Sequence, residues 1–399
     1  MPLIYRPNCN LILQALSVMM AGLLSLPVSS TPLIALREAD NCAGCHTPGR
    51  SQRPLMERRC TLDCQGCHVD PAGEGPRNQW GKYYSLDQAS LVNFMKPEDP
   101  LKDLSRFDLH MDTRVIHWDR AGGDRQTFPM AFEPAIRIRP FINYLHLTYE
   151  LQFLGRPEDN KFRVVNEGDR RYREKYSIMI DALPFNTYVR AYRGTPMYGL
   201  KRPNHTLWIR QRIGLDQFAT TEAFEIGGTP NVPFFRVSQM SGDPYVDKPF
   251  RQKGSSMHGG VRGVTLGWHL NGSYWDTESD YHKIKMKAFG AGLNVFNTIW
   301  YSEKNWRNVS AKTSEVIPVY VHPGSTIEEH SIAFAQITGF TAGLMQETLE
   351  DDDRDSQRRS IFVDIHPVPG LQLELWRRME TGTRTATDTL GVIHFYVDW

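Results

Sequence analysis

At 399 residues the chain exceeds what one hydrophobic core usually supports, although large β-barrels pass that length as single units. Its 46 Lys and Arg balance 45 Asp and Glu, leaving a net charge of +1, so bulk charge directs it neither to nucleic acid nor to an anionic bilayer. A mean hydropathy of -0.45 excludes a bundle of membrane-spanning helices but not a transmembrane barrel, whose apolar face hides in an alternating pattern.

Residues 1–30 read as a secretory signal peptide: Arg6, an apolar stretch from Leu11 to Leu26, a break at Pro27, then the small residues Val28 and Ser30. Cleavage near Ser30 removes Cys9. The other five of the six cysteines fall between Cys42 and Cys67, too local for a disulfide framework and suited to one compact site.

That site reads Cys42-Ala43-Gly44-Cys45-His46 and Cys64-Gln65-Gly66-Cys67-His68. Each C-x-x-C-H motif offers two thiols for thioether bonds to a haem and a following His as proximal iron ligand. The expected cofactors are two haem c, on Cys42, Cys45 and His46 and on Cys64, Cys67 and His68. The competing reading is a zinc ribbon, since C-x2-C-x18-C-x2-C is ribbon spacing; a four-Cys zinc site, however, has no use for a His after each pair. Cys60 receives no role. Residues 31–100 contain no further His, so the sixth iron ligands come from Met56, Met95 or a His of the barrel, with His110 and His146 the candidates, each of which also reads as an ordinary polar lumen residue.

A turn-rich run follows, Val69-Asp70-Pro71-Ala72-Gly73-Glu74-Gly75-Pro76-Arg77-Asn78-Gln79-Trp80-Gly81. The stretch from Cys42 to Gly81 resembles the cytochrome segment of bacterial outer-membrane cytochrome-porin fusions, and Leu183-Pro184-Phe185-Asn186 and Tyr198-Gly199-Leu200 are similar to parts of their barrels. The resemblance implies a small c-type cytochrome segment ahead of an outer-membrane β-barrel. The iron-oxidising fusions carry one haem motif where this chain has two.

From about Ser105 the pattern has period two. Phe107, Leu109, Met111, Thr113 and Val115 alternate with Asp108, His110, Asp112 and Arg114; Leu145, Leu147, Tyr149, Leu151 and Phe153 alternate with His146, Thr148, Glu150 and Gln152. By this parity Arg114, Arg137 and Arg139 face inward, as candidate partners for haem propionates or as lumen lining. Gly391, Ile393, Phe395, Val397 and Trp399 form a last strand that closes on an aromatic. Loops are expected at Arg156–Asn160, Gly254–Gly260, Asn305–Thr313, Glu347–Arg359 and Met379–Thr389, and a tight turn at Pro367–Gly370. The acidic run Glu350 to Asp353 with Asp355 reads as a solvated outer loop, or as a hard-cation site.

The expected fold is thus a transmembrane antiparallel β-barrel of about 14–16 strands over residues 101–399, behind a loop-rich cytochrome segment over 31–100. Its expected place is the bacterial outer membrane, with the cytochrome segment at the periplasmic side of the barrel or inside it, near His110, Arg114 and His146. The expected function is electron transfer through the two haems, with a periplasmic or extracellular redox partner, outer-membrane lipid around the barrel and no nucleic acid. Two other classes stay open, a passive porin with a structural or sensory haem plug and a soluble periplasmic di-haem enzyme. No hydrolase signature is present.

Each haem needs both its thiols, so Cys45→Ala and Cys67→Ala should each halve covalent haem per chain in a pyridine haemochrome assay. Stoichiometric zinc without haem in the native protein would contradict this reading.

Overall fold

The computed structural model of the chain describes residues 69–71, 75–77, 81 and 90–92, and most of 106–398. Both C-x-x-C-H motifs, the signal peptide, Met56, Cys60, Met95 and Trp399 lie outside the described residues.

Sequence alternation becomes a closed antiparallel sheet. The strands are β1 (Phe107–Asp119), β2 (Gln126–Ile138), β3 (Leu145–Glu158), β4 (Lys161–Val164), β5 (Arg173–Leu183), β6 (Thr187–Gly194), β7 (Thr221–Gly228), β8 (Pro233–Gly242) and β9 (Lys253–Arg262). They continue as β10 (Trp268–Glu278), β11 (His282–Val295), β12 (Thr298–Ala311), β13 (Gly324–Ile337), β14 (Phe340–Asp351), β15 (Arg354–Val368), β16 (Leu371–Gly382) and β17 (Ala386–Asp398). β4 pairs only with the end of β3, and the other 16 strands each pair with their neighbours around the ring. β1 meets β17 from His110 opposite Asp398 to Asp119 opposite Thr389, which leaves no open edge.

Parity decides which side chains meet the surroundings. On β1, Phe107 and Leu109 are exposed outside while Asp108, His110, Asp112 and Arg114 are buried inside. On β3, Tyr149 is exposed whereas His146, Glu150 and Gln152 are buried, and Arg137 and Arg139 are buried beside them. β17 follows the same rule, with Ile393 and Phe395 outside and His394 and Tyr396 inside. Trp268, Trp300, Phe107, Phe235 and Phe395 ring one end of this outer apolar surface. Pro129 is tolerated on β2 because the register shifts between Arg114 and Val115, where it enters the ladder.

The two ends of the barrel differ. At one end β11 stops at Val295 and β12 starts at Thr298, β13 passes to β14 between Ile337 and Phe340, and β15 to β16 between Val368 and Leu371. That turn falls where Pro367–Gly370 predicts it. At the other end the chain travels from Gly194 to Thr221, from Gly242 to Lys253 and from Ala311 to Gly324. We refer to these as the short-turn and long-loop ends.

Four of the expected loops are not loops. Gly254–Gly260 lies within β9, and residues 305–311 lie within β12. Residues 347–359 are the end of β14 and the start of β15, with the chain reversing between Asp351 and Arg354; most of residues 379–389 belongs to β16 and β17. Glycine and serine made residues 254–260 look like a loop, and charged or polar outward residues did so in the other three spans, where the strands run on beyond the apolar band. Asp352 has a structural partner here: its carboxylate accepts from the Ser325 backbone N–H at 3.1 Å and from the Ser325 hydroxyl at 3.0 Å, tying the turn to β13.

An outward cation near the middle of the apolar surface has no water to solvate it. Ile393→Lys should therefore destabilise the barrel by about 2–4 kcal/mol in urea titrations from lipid vesicles. A loss below about 0.5 kcal/mol would place β17 outside the bilayer.

Candidate functional site

The lumen holds two features, a charged mouth at the short-turn end and an apolar interior under a segment of chain. At the mouth, residues from the run after His68 bind the wall. Val69 packs against Met179 on β5 and Tyr188 on β6, all three buried. Asp70 sits 2.9 Å from the Arg190 guanidinium, which also donates to Glu225 at 2.8 Å. Tyr188 and Ser238 donate to the same Glu225 carboxylate at 2.7 Å each. Arg190 is thus a buried cation between two carboxylates, and removing one partner of such a group is costly.

Seven residues on, Arg77 reaches the seam of the barrel. Its backbone N–H donates to Asp398 Oδ1 at 3.2 Å, its Nη1 donates to Oδ2 at 2.7 Å, and its guanidinium lies 4.2 Å from the Tyr396 ring centroid. Burial works against the Arg77 charge, and Asp398 more than offsets it, raising the Arg77 pKa. Between these anchors Gly75 adopts φ +63°, and a Cβ there would stand 3.2 Å from Glu150 of β3. A backbone N–H from Val69 to the Pro76 carbonyl closes the loop. Residues 91 and 92 then donate to the His366 and Pro367 carbonyls at the β15 turn, against Gly339.

His110 and His146 both lie at this mouth. His110 Nδ1 is 2.8 Å from Asp398 Oδ1, on the carboxylate that holds Arg77. His146 pairs across strands with Met179, against which Val69 packs, and its Nε2 is 3.8 Å from Asp181. Beside them His394 bridges Asp112 and Gln372 at 2.8 and 2.7 Å. The three arginines proposed for haem propionates have carboxylate partners from the barrel: Arg114 with Asp112 at 2.8 Å, and Arg137 and Arg139 with Asp108 at 2.5 and 3.8 Å. Among the described residues no group of three or more His, Cys, Asp or Glu is arranged to hold a metal ion.

Deeper in, the wall is apolar in two patches. One runs through Ile116, Phe128, Ile299, Phe334, Phe362 and Trp376, the other through Trp275, Ile284, Met286 and Val309. Described residues of the connection from Gly194 to Thr221 pack on both, Leu207 on the first and Tyr198, Ile213 and Leu215 on the second. It is fixed from below by polar contacts: the Gly199 N–H donates to Ser273 at 2.9 Å, and the Trp208 N–H donates to Glu347 at 2.6 Å. Gly199 has φ +55°, and a Cβ there would collide with the Glu303 carboxylate. Sequence reading missed this segment. Its signal was present in Met197, Tyr198, Leu207, Trp208, Ile213 and Leu215, too many large apolar residues for a loop in water.

No protein-family model matches the chain, and no curated protein matches it in sequence. Its fold does have solved counterparts. A loop-deletion mutant of OmpT, an outer membrane protein of Vibrio cholerae, superposes with a TM-score of 0.55 at 10% identity, over 74% of this chain and 100% of that one. OprB of Pseudomonas putida gives 0.55 at 9% identity, over 73% and 94%. An anion-selective porin from Comamonas acidovorans gives 0.51 at 10%, over 73% and 98%. The class is therefore a porin-like, closed 16-strand barrel of the outer-membrane type.

Arg77→Met removes the tie to Asp398 while leaving Asp398 paired with His110. It should raise the rate of protease cleavage ahead of Phe107 several-fold while the barrel keeps its heat-dependent gel mobility. Unchanged cleavage would show that this ion pair does not hold the segment.

Proposed function

We propose that this protein is an outer-membrane electron conduit: a porin-type barrel that holds a covalent di-haem segment at its periplasmic, short-turn mouth. The observation that carries the proposal is the pair of part-buried anchors, Asp70 on Arg190 and Arg77 on Asp398, that hold the chain directly behind the second haem motif against the inner barrel wall. His68 directly precedes Val69 in the sequence.

The donor sets suit haem. Cys42 with Cys45 and Cys64 with Cys67 would form the thioethers, and His46 and His68 would ligate iron. Haem supplies one-electron exchange when bound. This chain's own contribution is to fix the segment, to exclude water and to orient imidazoles. A carboxylate on Nδ1, as Asp398 provides to His110, is how ligating imidazoles are commonly oriented. Short turns face the periplasm in bacterial barrels, which favours that side for the mouth. The partners are then outer-membrane lipid and a redox protein or acceptor.

The barrel comparisons favour a second reading, a passive porin in which the N-terminal segment is a structural or sensory plug. The apolar segment from Gly194 to Thr221 weighs on the other side, since an inner wall covered by side chains is a poor path for solutes.

Vesicles separate the two. With the haem-loaded protein in liposomes, an enclosed redox dye should be reduced by an external, membrane-impermeant reductant, while swelling in small sugars stays at the protein-free rate. Swelling without dye reduction would select the porin.

A further inference from the structure

β11 changes character along its outer face. Val295, Leu293 and Phe289 point outward and are exposed, and then Lys287, Lys285 and Lys283 take the next three outward positions. A tilted strand crosses hydrocarbon in roughly 9–11 residues. Counted from Val295, beside the short turn into β12, the crossing ends between Lys287 and Lys285. These ammonium groups therefore stand at the lipid boundary on the long-loop side, where a strand lysine costs little and meets head groups.

The neighbours fit that depth. Lys287 is flanked across strands by Tyr274 on β10 and Trp306 on β12, side chains that settle at bilayer boundaries. Lys304 projects from β12 next to Phe289 in the register, 3.5 Å from Glu329. Asp276 lies 3.5 Å from Lys283 and 4.0 Å from Lys285. Lys287 makes no ion pair with another described residue. Four cations thus face three carboxylates, Asp276, Glu329 and Glu278 opposite Lys283 in the register, the last of them also 3.1 Å from Lys312, and the surplus is positive.

We propose that Lys283, Lys285 and Lys287, with Lys304 beside them, bind the phosphate of an anionic lipid in the long-loop-side leaflet. The ligand is a phosphorylated head group whose acyl chains lie along Phe289, Leu293 and Val295. This rests on the barrel crossing the membrane, and it is independent of haem.

The test uses the full chain in phosphatidylcholine vesicles and spin-labelled phosphatidic acid, whose motionally restricted fraction reports lipid held by the protein. The wild type should select phosphatidic acid over labelled phosphatidylcholine by about fivefold, and Lys285→Gln/Lys287→Gln should bring that ratio close to one. Lys248→Gln/Lys253→Gln, which removes equal charge at the same end, should keep it, and added inorganic phosphate should leave it unchanged. Equal selectivity in wild type and the Lys285/Lys287 variant would overturn the site, as would its loss to inorganic phosphate. Failure of the wild type to insert would overturn the membrane-spanning reading and the lipid site with it, whereas insertion without selectivity would overturn the lipid site alone.

Discussion

The hydrogen-bonded seam between β1 and β17 is the contact on which the rest of the structure depends. A sheet in lipid has no water for its backbone groups, so an unpaired edge would cost several kcal/mol per group and only closure removes it. Closure also creates an inside and an outside, and the period of two then sorts every strand. The seam carries the mouth as well: His110 and Asp112 come from β1, His394 and Asp398 from β17, and their contacts exist only because the two strands meet.

Inside, two physical demands are met by the chain's own side chains. Buried cations such as Arg190, Arg137 and Arg358 are matched by Glu225, Asp108 and Glu347. Such matching avoids the large penalty of a lone buried charge without making the pairs strong sources of stability. The apolar wall patches require cover, and the Gly194–Thr221 connection supplies it with Leu207, Tyr198, Ile213 and Leu215. Described side chains of that connection thus occupy part of the lumen against the wall.

Much of the barrel was legible in the sequence because parity is a local signal. Phe107 to Val115 and Leu145 to Phe153 announce their faces without reference to any partner, and the strand count of 14–16 includes the 16 observed. The loops at residues 305–313, 347–359 and 379–389 were misread because polar outward residues mark where the apolar band ends, not where a strand ends, and 254–260 was misread because its glycines and serines are also turn formers. The mouth was only half legible. His110, His146 and the inward arginines follow from parity, but the pairings of Asp70 with Arg190 and Arg77 with Asp398 span 120 and 321 positions and depend on closure. The haem motifs are the most specific local signal in the chain, and they lie outside the described residues.

Iron anomalous scattering from crystals of the purified protein tests the central claim most directly. The account predicts two iron positions per chain, one of them at the short-turn mouth beside Met179 and Tyr188. Absence of iron, or both positions at the long-loop end, would contradict it.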